Sequence, residues 1–174
     1  MKALPPHARR VLPIAGVVVF WLLLIPRLVP APSWDLGVFF SVADRLVAGD
    51  ALYAGVWDNK DPLFFLTLAV SRGISPFGPA VLEVAWMLAA SAASWRLAAW
   101  AGCTRHPAAL VGFVITPLIL TGAFYVAGYT HLPGATLTLV ALWLLLTRRV
   151  VGAGLVMCLV PLFKIAFGPV VVAV

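Results

Sequence analysis

Residues 11–29 read VLPIAGVVVFWLLLIPRLV, an apolar run interrupted only by Arg27 near its end and preceded by Lys2, Arg9 and Arg10. A hydrocarbon core of roughly 30 Å is crossed by about 20 such residues in a helix, so this run is long enough to span a bilayer. A cleaved signal peptide is the rival reading. Val29 and Ala31 make a poor cleavage site with Pro32 directly behind it, and more apolar runs follow, which favours an uncleaved signal anchor. Four further runs, residues 79–101, 107–126, 133–147 and 150–174, repeat the pattern. The expected architecture is an all-α, polytopic membrane protein with about five transmembrane helices in a single domain.

Composition points the same way. The 174 residues are 63% hydrophobic and 10% charged, with a mean hydropathy of +1.07, far from the usual balance of a water-soluble domain. Twelve Lys and Arg against six Asp and Glu give a net charge of +6. In a soluble protein that excess would suggest nucleic acid; beside apolar spans it reads as topology, and no nucleic-acid partner is expected. Cys103 and Cys158 lie beside or within apolar runs and form no metal-ligand pattern with the three histidines.

The segment 62–72, PLFFLTLAVSR, is equally apolar, but eleven residues make a helix of only about 16 Å. Asp61 suits an N-cap, Pro62 the first helical position and Gly73 the C-terminal cap, so a short helix on the membrane surface, or re-entrant, is expected. If it does not span, Lys2, Arg9, Arg10, Arg105, Arg148 and Arg149 all fall on one side. The positive-inside rule then predicts a cytoplasmic N-terminus and one long extracytoplasmic loop, residues 30–78, in the plasma membrane.

Five of the six acidic residues, Asp35, Asp44, Asp50, Asp58 and Asp61, fall in that loop; Glu83 is the other. Phe39, Val42, Ala43, Leu46 and Val47 follow helical spacing, with Ser41, Asp44 and Arg45 opposite and Gly49 where a cap belongs, which predicts an interfacial amphipathic helix. A turn at Pro30 and Pro32 would set Asp35 near headgroup depth.

The run Trp34-Asp35-Leu36-Gly37, then Ala43-Asp44-Arg45-Leu46 and Gly49, Leu52-Tyr53, and Trp57-Asp58-Asn59-Lys60-Asp61-Pro62-Leu63 resembles the first external loop of GT-C glycosyltransferases. The branch it is similar to contains the protein O-mannosyltransferase-like and aminoarabinose-transferase-like bacterial enzymes. Those many-pass enzymes take a sugar from a polyprenyl-phosphate carrier at the outer face of the membrane, and the resemblance implies a catalytic role for Asp35. Two departures stand out. Lys60-Asp61-Pro62 replaces the usual Lys-Pro-Pro, and the outer turn Gly128-Tyr129-Thr130-His131-Leu132 lacks the acidic residue that many members carry there, so that either His131 substitutes for it or the subfamily differs.

Displacing a polyprenyl phosphate from an anomeric carbon needs a base for the acceptor hydroxyl and positive charge for the departing phosphate. Asp35 is the candidate base or acceptor-positioning group, and equally fits as an N-cap for a helix starting at Leu36. Lys60 as a point charge, or Arg45 as a fork, is the candidate phosphate partner. A divalent ion, Mg or Mn, held by Asp35 and Asp58 is a further option, since hard cations take oxygen ligands. Tyr53 and Trp57 suit either an interfacial belt or a stack on a sugar ring.

Lys164 lies fourteen positions into the last run, where a charge costs around 3 kcal/mol on insertion scales, so a lipid phosphate or a structural pairing is expected for it. Glu83 is a bundle partner or a site member, and Arg96 reaches the inner interface by snorkelling. The chain stops inside an apolar run, and the enzymes it resembles are longer, so an N-terminal portion of a larger enzyme, inactive alone, is expected. The expected partners are a polyprenyl-phosphate-linked sugar, membrane lipid and a glycan, lipid or protein acceptor. A non-catalytic membrane subunit or lipid-binding scaffold is the alternative; a transporter fragment fits less well, because intramembrane polar residues and broken helices are sparse.

Overall fold

The computed structural model describes residues 6–29, 34–56, 60–123 and 130–164. Every regular element among them is helical: α1 (Pro6–Leu28), α2 (Trp34–Val47), α3 (Pro62–Ile74), α4 (Gly78–Trp100), α5 (Arg105–Leu110), a π-helical stretch (Val111–Ile115), α6 (Thr116–Ala123), α7 (His131–Leu146) and α8 (Val150–Phe163). By length and composition one run, Arg105–Gly122, is apolar and long enough to cross a membrane. Shorter apolar helices cover Ile14–Leu28, Pro62–Ile74, His131–Leu146 and Val150–Phe163. The Pro30–Pro32 turn and the Trp57, Asp58 and Gly128–Tyr129 positions lie outside the described residues.

α2 ends as its sequence predicts. Gly49 has φ +101°, its N–H reaches the Leu46 carbonyl at 3.0 Å, and the Asp50 N–H reaches the Arg45 carbonyl at 3.0 Å. This paired closure is the Schellman arrangement, which a residue with a β-carbon enters only under strain. α3 departs from expectation at its end. The helix passes through Gly73 to Ile74, with the Ser75 N–H closing it on the Ser71 carbonyl. Gly73 instead faces α2, where an added β-carbon would meet Val47 at 3.6 Å. α2 and α3 therefore run parallel, tied by Phe39 to Phe64 and Phe65 and by Asp44 to Arg72.

The apolar faces of α2 and α3 meet α7 and α8 in one core containing Leu36, Phe39, Phe65, Leu137, Val160 and Phe163. Fully burying a side chain such as Phe65 contributes about 2–3 kcal/mol, and the edge-to-face Phe39–Phe64 pair, 5.3 Å between centroids, adds about 1 kcal/mol. A second core joins α1, α4 and α7 through Leu24, Leu28, Met87 and Leu132. The Thr136 hydroxyl donates to the Trp86 carbonyl at 3.2 Å, and the Trp86 ring meets Phe163 edge-on. α4 and α7 thus run parallel, with α8 antiparallel to both. That arrangement gathers the starts of α4 and α7 and the end of α8 at one end of the bundle. Arg96, Arg105, Arg148 and Arg149 fall at the other.

The π-helical stretch has a cause in Pro117. Proline has no N–H for the carbonyl four residues back, here Phe113, and its ring crowds that oxygen. The helix widens ahead of it, the Thr116 N–H bonding to the Val111 carbonyl, and the Thr116 hydroxyl donates to the same oxygen at 2.9 Å. The Phe113 carbonyl accepts the indole N–H of Trp21 at 3.0 Å, locking α1 to this helix. Trp21→Phe keeps a smaller aromatic ring and deletes the donor, so it should cost about 1–3 kcal/mol in thermal unfolding. An unfolding temperature equal to the wild type would show that Trp21 contributes packing alone.

Candidate functional site

Three segments far apart in sequence meet at the end of the bundle where α4 and α7 begin. Lys164 contributes the first group. It stands not deep within a continuous helix but at the extended C-cap of α8, which ends at Phe163; its N–H closes the last turn on Val160 at 3.0 Å. Residues 165–174 lie outside the described residues. Pro161, within the final turn, accompanies this ending, and a cation at a helix C-terminus is favoured by the dipole.

The Lys164 ammonium lies 2.8 Å from Nε2 of His131, the first residue of α7. An ammonium has only protons to give, so Nε2 accepts and the imidazole proton resides on Nδ1. Burial, reinforced by the Lys164 charge, lowers the His131 pKa from its ordinary 6.5 and holds the ring neutral. Lys60 and Asp61, immediately before α3, are close enough to act electrostatically on Lys164.

The loop carrying Lys60 is held at two points. Tyr53, at φ +66°, donates its hydroxyl to the Lys60 carbonyl at 2.5 Å, and the Lys60 ammonium lies 5.4 Å from the centroid of the Phe39 ring. A left-handed tyrosine costs of order 1 kcal/mol and persists where its surroundings fix it; here Val56 bonds its N–H at 2.6 Å. Asp61 occupies the N-cap position of α3, yet its side chain makes no capping hydrogen bond. The Asp-Pro pair marks a helix start in any context, so this carboxylate's electrostatic reach to Lys164 is visible only in three dimensions.

Asp35 is exposed and lies inside the first turn of α2, which begins at Trp34, rather than at a cap before Leu36. It shares a helix face with Phe39, four residues on. The α2–α3 pairs Phe39–Phe64, Phe39–Phe65, Val47–Gly73 and Asp44–Arg72 keep an offset of 25 to 28 residues. Carried back one turn, that register sets Asp35 level with Lys60 and Asp61.

Arg45 does not join this group. It lies about 15 Å along α2 from Asp35 and pairs with Asp50 at 2.6 Å. Asp44, expected as a solvated residue, receives both Nε and Nη2 of Arg72, at 2.5 and 2.6 Å, while that guanidinium stacks 4.6 Å from the Phe40 centroid. Arg72 was the partner not singled out in the sequence, since nothing local links positions 28 residues apart. Glu83 is buried on α4 and lines, with Trp86, Thr67 and Pro133, a cleft of about 10 Å³, room for a single water. Among the described residues no three His, Cys, Asp or Glu gather as a metal site; of the expected pair, Asp58 lies outside them.

The His131 shift carries a sign. A histidine held below its ordinary pKa contributes stability that is complete above about pH 6.5 and is lost as pH falls through the lower folded value, because the unfolded chain takes the proton first. Unfolding temperature between about pH 8 and 5 should therefore drop more steeply in the wild type than in His131→Gln. Parallel curves would show that His131 does not titrate with unfolding.

The sequence matches no protein family model and no curated protein, and the fold matches no solved structure.

Proposed function

We propose that this chain is part of a multi-pass membrane glycosyltransferase that moves a sugar from a polyprenyl-phosphate carrier to an acceptor hydroxyl at the extracytoplasmic face. The observation carrying the proposal is the meeting of Lys60, His131 and Lys164 from three separated segments, on the side of α2 where Asp35 lies. In this reading the runs 11–29, 79–101, 107–126 and 133–147 and the run that holds α8 span the membrane, while α3 stays in the first external loop. The acidic residues of the first loop lie outside the membrane, and the four arginines at the opposite end lie in the cytoplasm.

The chemistry follows from the groups present. Asp35 takes the proton from the acceptor hydroxyl as its oxygen bonds to the anomeric carbon. The bond from that carbon to the phosphate oxygen breaks, and the departing phosphate gathers negative charge against the ammonium groups of Lys60 and Lys164. His131, neutral and accepting from Lys164, aims that ammonium. Tyr53 fixes the Lys60 backbone and thereby the height of its side chain. A divalent ion, where one is used, would add Lewis-acid charge to the same phosphate, with Asp35 and Asp58 as its oxygen ligands.

The test is transfer of labelled sugar from a panel of polyprenyl-phosphate donors in membranes containing the full-length gene product. Transfer from at least one donor is the expected result. Its absence across donors and acceptors that a reference enzyme uses would shift the assignment to a non-catalytic, lipid-binding scaffold.

A further inference from the structure

The end of the bundle opposite the Lys60–Lys164 cluster has a composition of its own. Arg96 lies about one turn before the end of α4, Arg105 opens α5, and Arg148 and Arg149 form the turn between α7 and α8; all four are exposed. None of the described acidic residues lies there, because Asp35, Asp44, Asp50 and Asp61 belong to the α2–α3 layer and Glu83 to the first turns of α4. Two of the arginines lie against tryptophans: Arg96 is 5.2 Å from the Trp95 centroid and Arg149 5.8 Å from that of Trp143. Indoles of this kind favour the headgroup level of a bilayer.

The α7–α8 turn adds an independent observation. The Arg148 N–H bonds to the Leu145 carbonyl at 2.9 Å and the Arg149 N–H to the Leu144 carbonyl at 2.8 Å, the same paired closure that Gly49 makes after α2. Here the left-handed position, φ +60°, is filled by Arg148. Glycine would fit that backbone without strain, so the guanidinium is held at a conformational cost.

We propose that this end of the bundle binds the headgroups of anionic phospholipids, with Arg148 and Arg149 as the main contacts and Arg96 and Arg105 beside them. Guanidinium groups take a lipid phosphate through paired N–H donors, and a basic surface without neighbouring carboxylates selects anionic over zwitterionic lipid. The inference rests on the membrane placement proposed above and is independent of the transfer chemistry.

The experiment uses the full chain in mixed phosphatidylcholine and phosphatidylglycerol vesicles, with either one or the other lipid dibrominated, and reads quenching of tryptophan fluorescence. Bromolipid quenching stronger from phosphatidylglycerol than from phosphatidylcholine at equal mole fraction is expected. The preference should fall by about fivefold per arginine removed in Arg148→Gly and in Arg148→Gly with Arg149→Gln. Arg148→Gly relieves the left-handed strain, so a lost preference there is not a folding defect, and its unfolding temperature should match or exceed the wild type. Added inorganic phosphate at constant ionic strength should leave the preference intact; its abolition would mark a site for free phosphate instead. Equal quenching by the two lipids, or an unchanged preference in the double variant, overturns the proposal. Quenching by neither lipid overturns the membrane placement with it.

Discussion

Asp35→Asn, in membranes carrying the full-length gene product at matched expression, is expected to lower sugar transfer by about 10²–10⁴-fold, the range for losing a positioned general base. Asparagine keeps the size and polarity of the side chain but accepts no proton. Asp35 is exposed within the first turn of α2 and is not buried in a core, so the substitution leaves the packing of Leu36 and Phe39 intact. Membrane insertion and unfolding temperature should therefore be unchanged while the rate falls. Lys164→Gln should also lower the maximal rate, because in the proposed reaction its ammonium would face the departing phosphate in the transition state. Asp50→Asn, which breaks only the exposed pair with Arg45 at the far end of α2, should retain transfer. Transfer by Asp35→Asn at the wild-type rate would remove Asp35 from catalysis and leave the proposed reaction without an identified base.

Gly78→Ala is expected to destabilise the fold by about 3 kcal/mol or more, read as a large drop in unfolding temperature. Gly78 opens α4 just after α3 ends, and a β-carbon there would lie within van der Waals overlap of the Ser71 backbone carbonyl. No rotamer relieves a clash between a β-carbon and main chain, so the joint between α3 and α4 must open. Opening it would pull α3 from α2, where Arg72 meets Asp44, and disturb the segment that presents Lys60 and Asp61. Gly16→Ala is the control. Nothing lies within 4 Å of the added carbon, and removing a glycine from a helix interior is worth about 1 kcal/mol in its favour. A Gly78→Ala protein as stable as the wild type would mean that the α3–α4 joint is looser than the packing shows.

Much of the helical layout was legible in the sequence because its signals are local. Apolar runs bounded by Gly, Pro and Arg mark α4 and α7, and Gly49 ends α2 through a backbone conformation that glycine enters freely. Gly73 misled for an instructive reason: a glycine following an apolar run has the same appearance whether it ends a helix or leaves room for Val47 on a neighbour. The π-helical stretch had a readable cue in Pro117, but which group would take the freed Phe113 carbonyl depended on Trp21, 92 positions away. The candidate site divides along the same line. Lys60 and His131 are marked in the sequence by the resemblance of their segments, and Lys164 as a charge in an apolar run, whereas the meeting of His131 with Lys164 depends on α7 and α8 being antiparallel. Asp61 had a sufficient local explanation as a cap, which hid the neighbourhood of its carboxylate.

The bond between Trp21 and Phe113 bears on the order in which the chain is built. α1 leaves the ribosome before the Pro117 helix, and its indole N–H waits for an acceptor that exists only after that later helix has been made. In the membrane placement proposed above, an unsatisfied carbonyl in hydrocarbon costs several kcal/mol, so a Pro117 helix released sideways into lipid alone would be penalised until α1 reached it. On that placement the favourable course would be for α1 to remain beside the insertion machinery and receive the later helix as it emerges. Biogenesis of this bundle would then depend on retention of α1, and Trp21→Phe would be felt in nascent-chain crosslinking before it was felt in the finished fold.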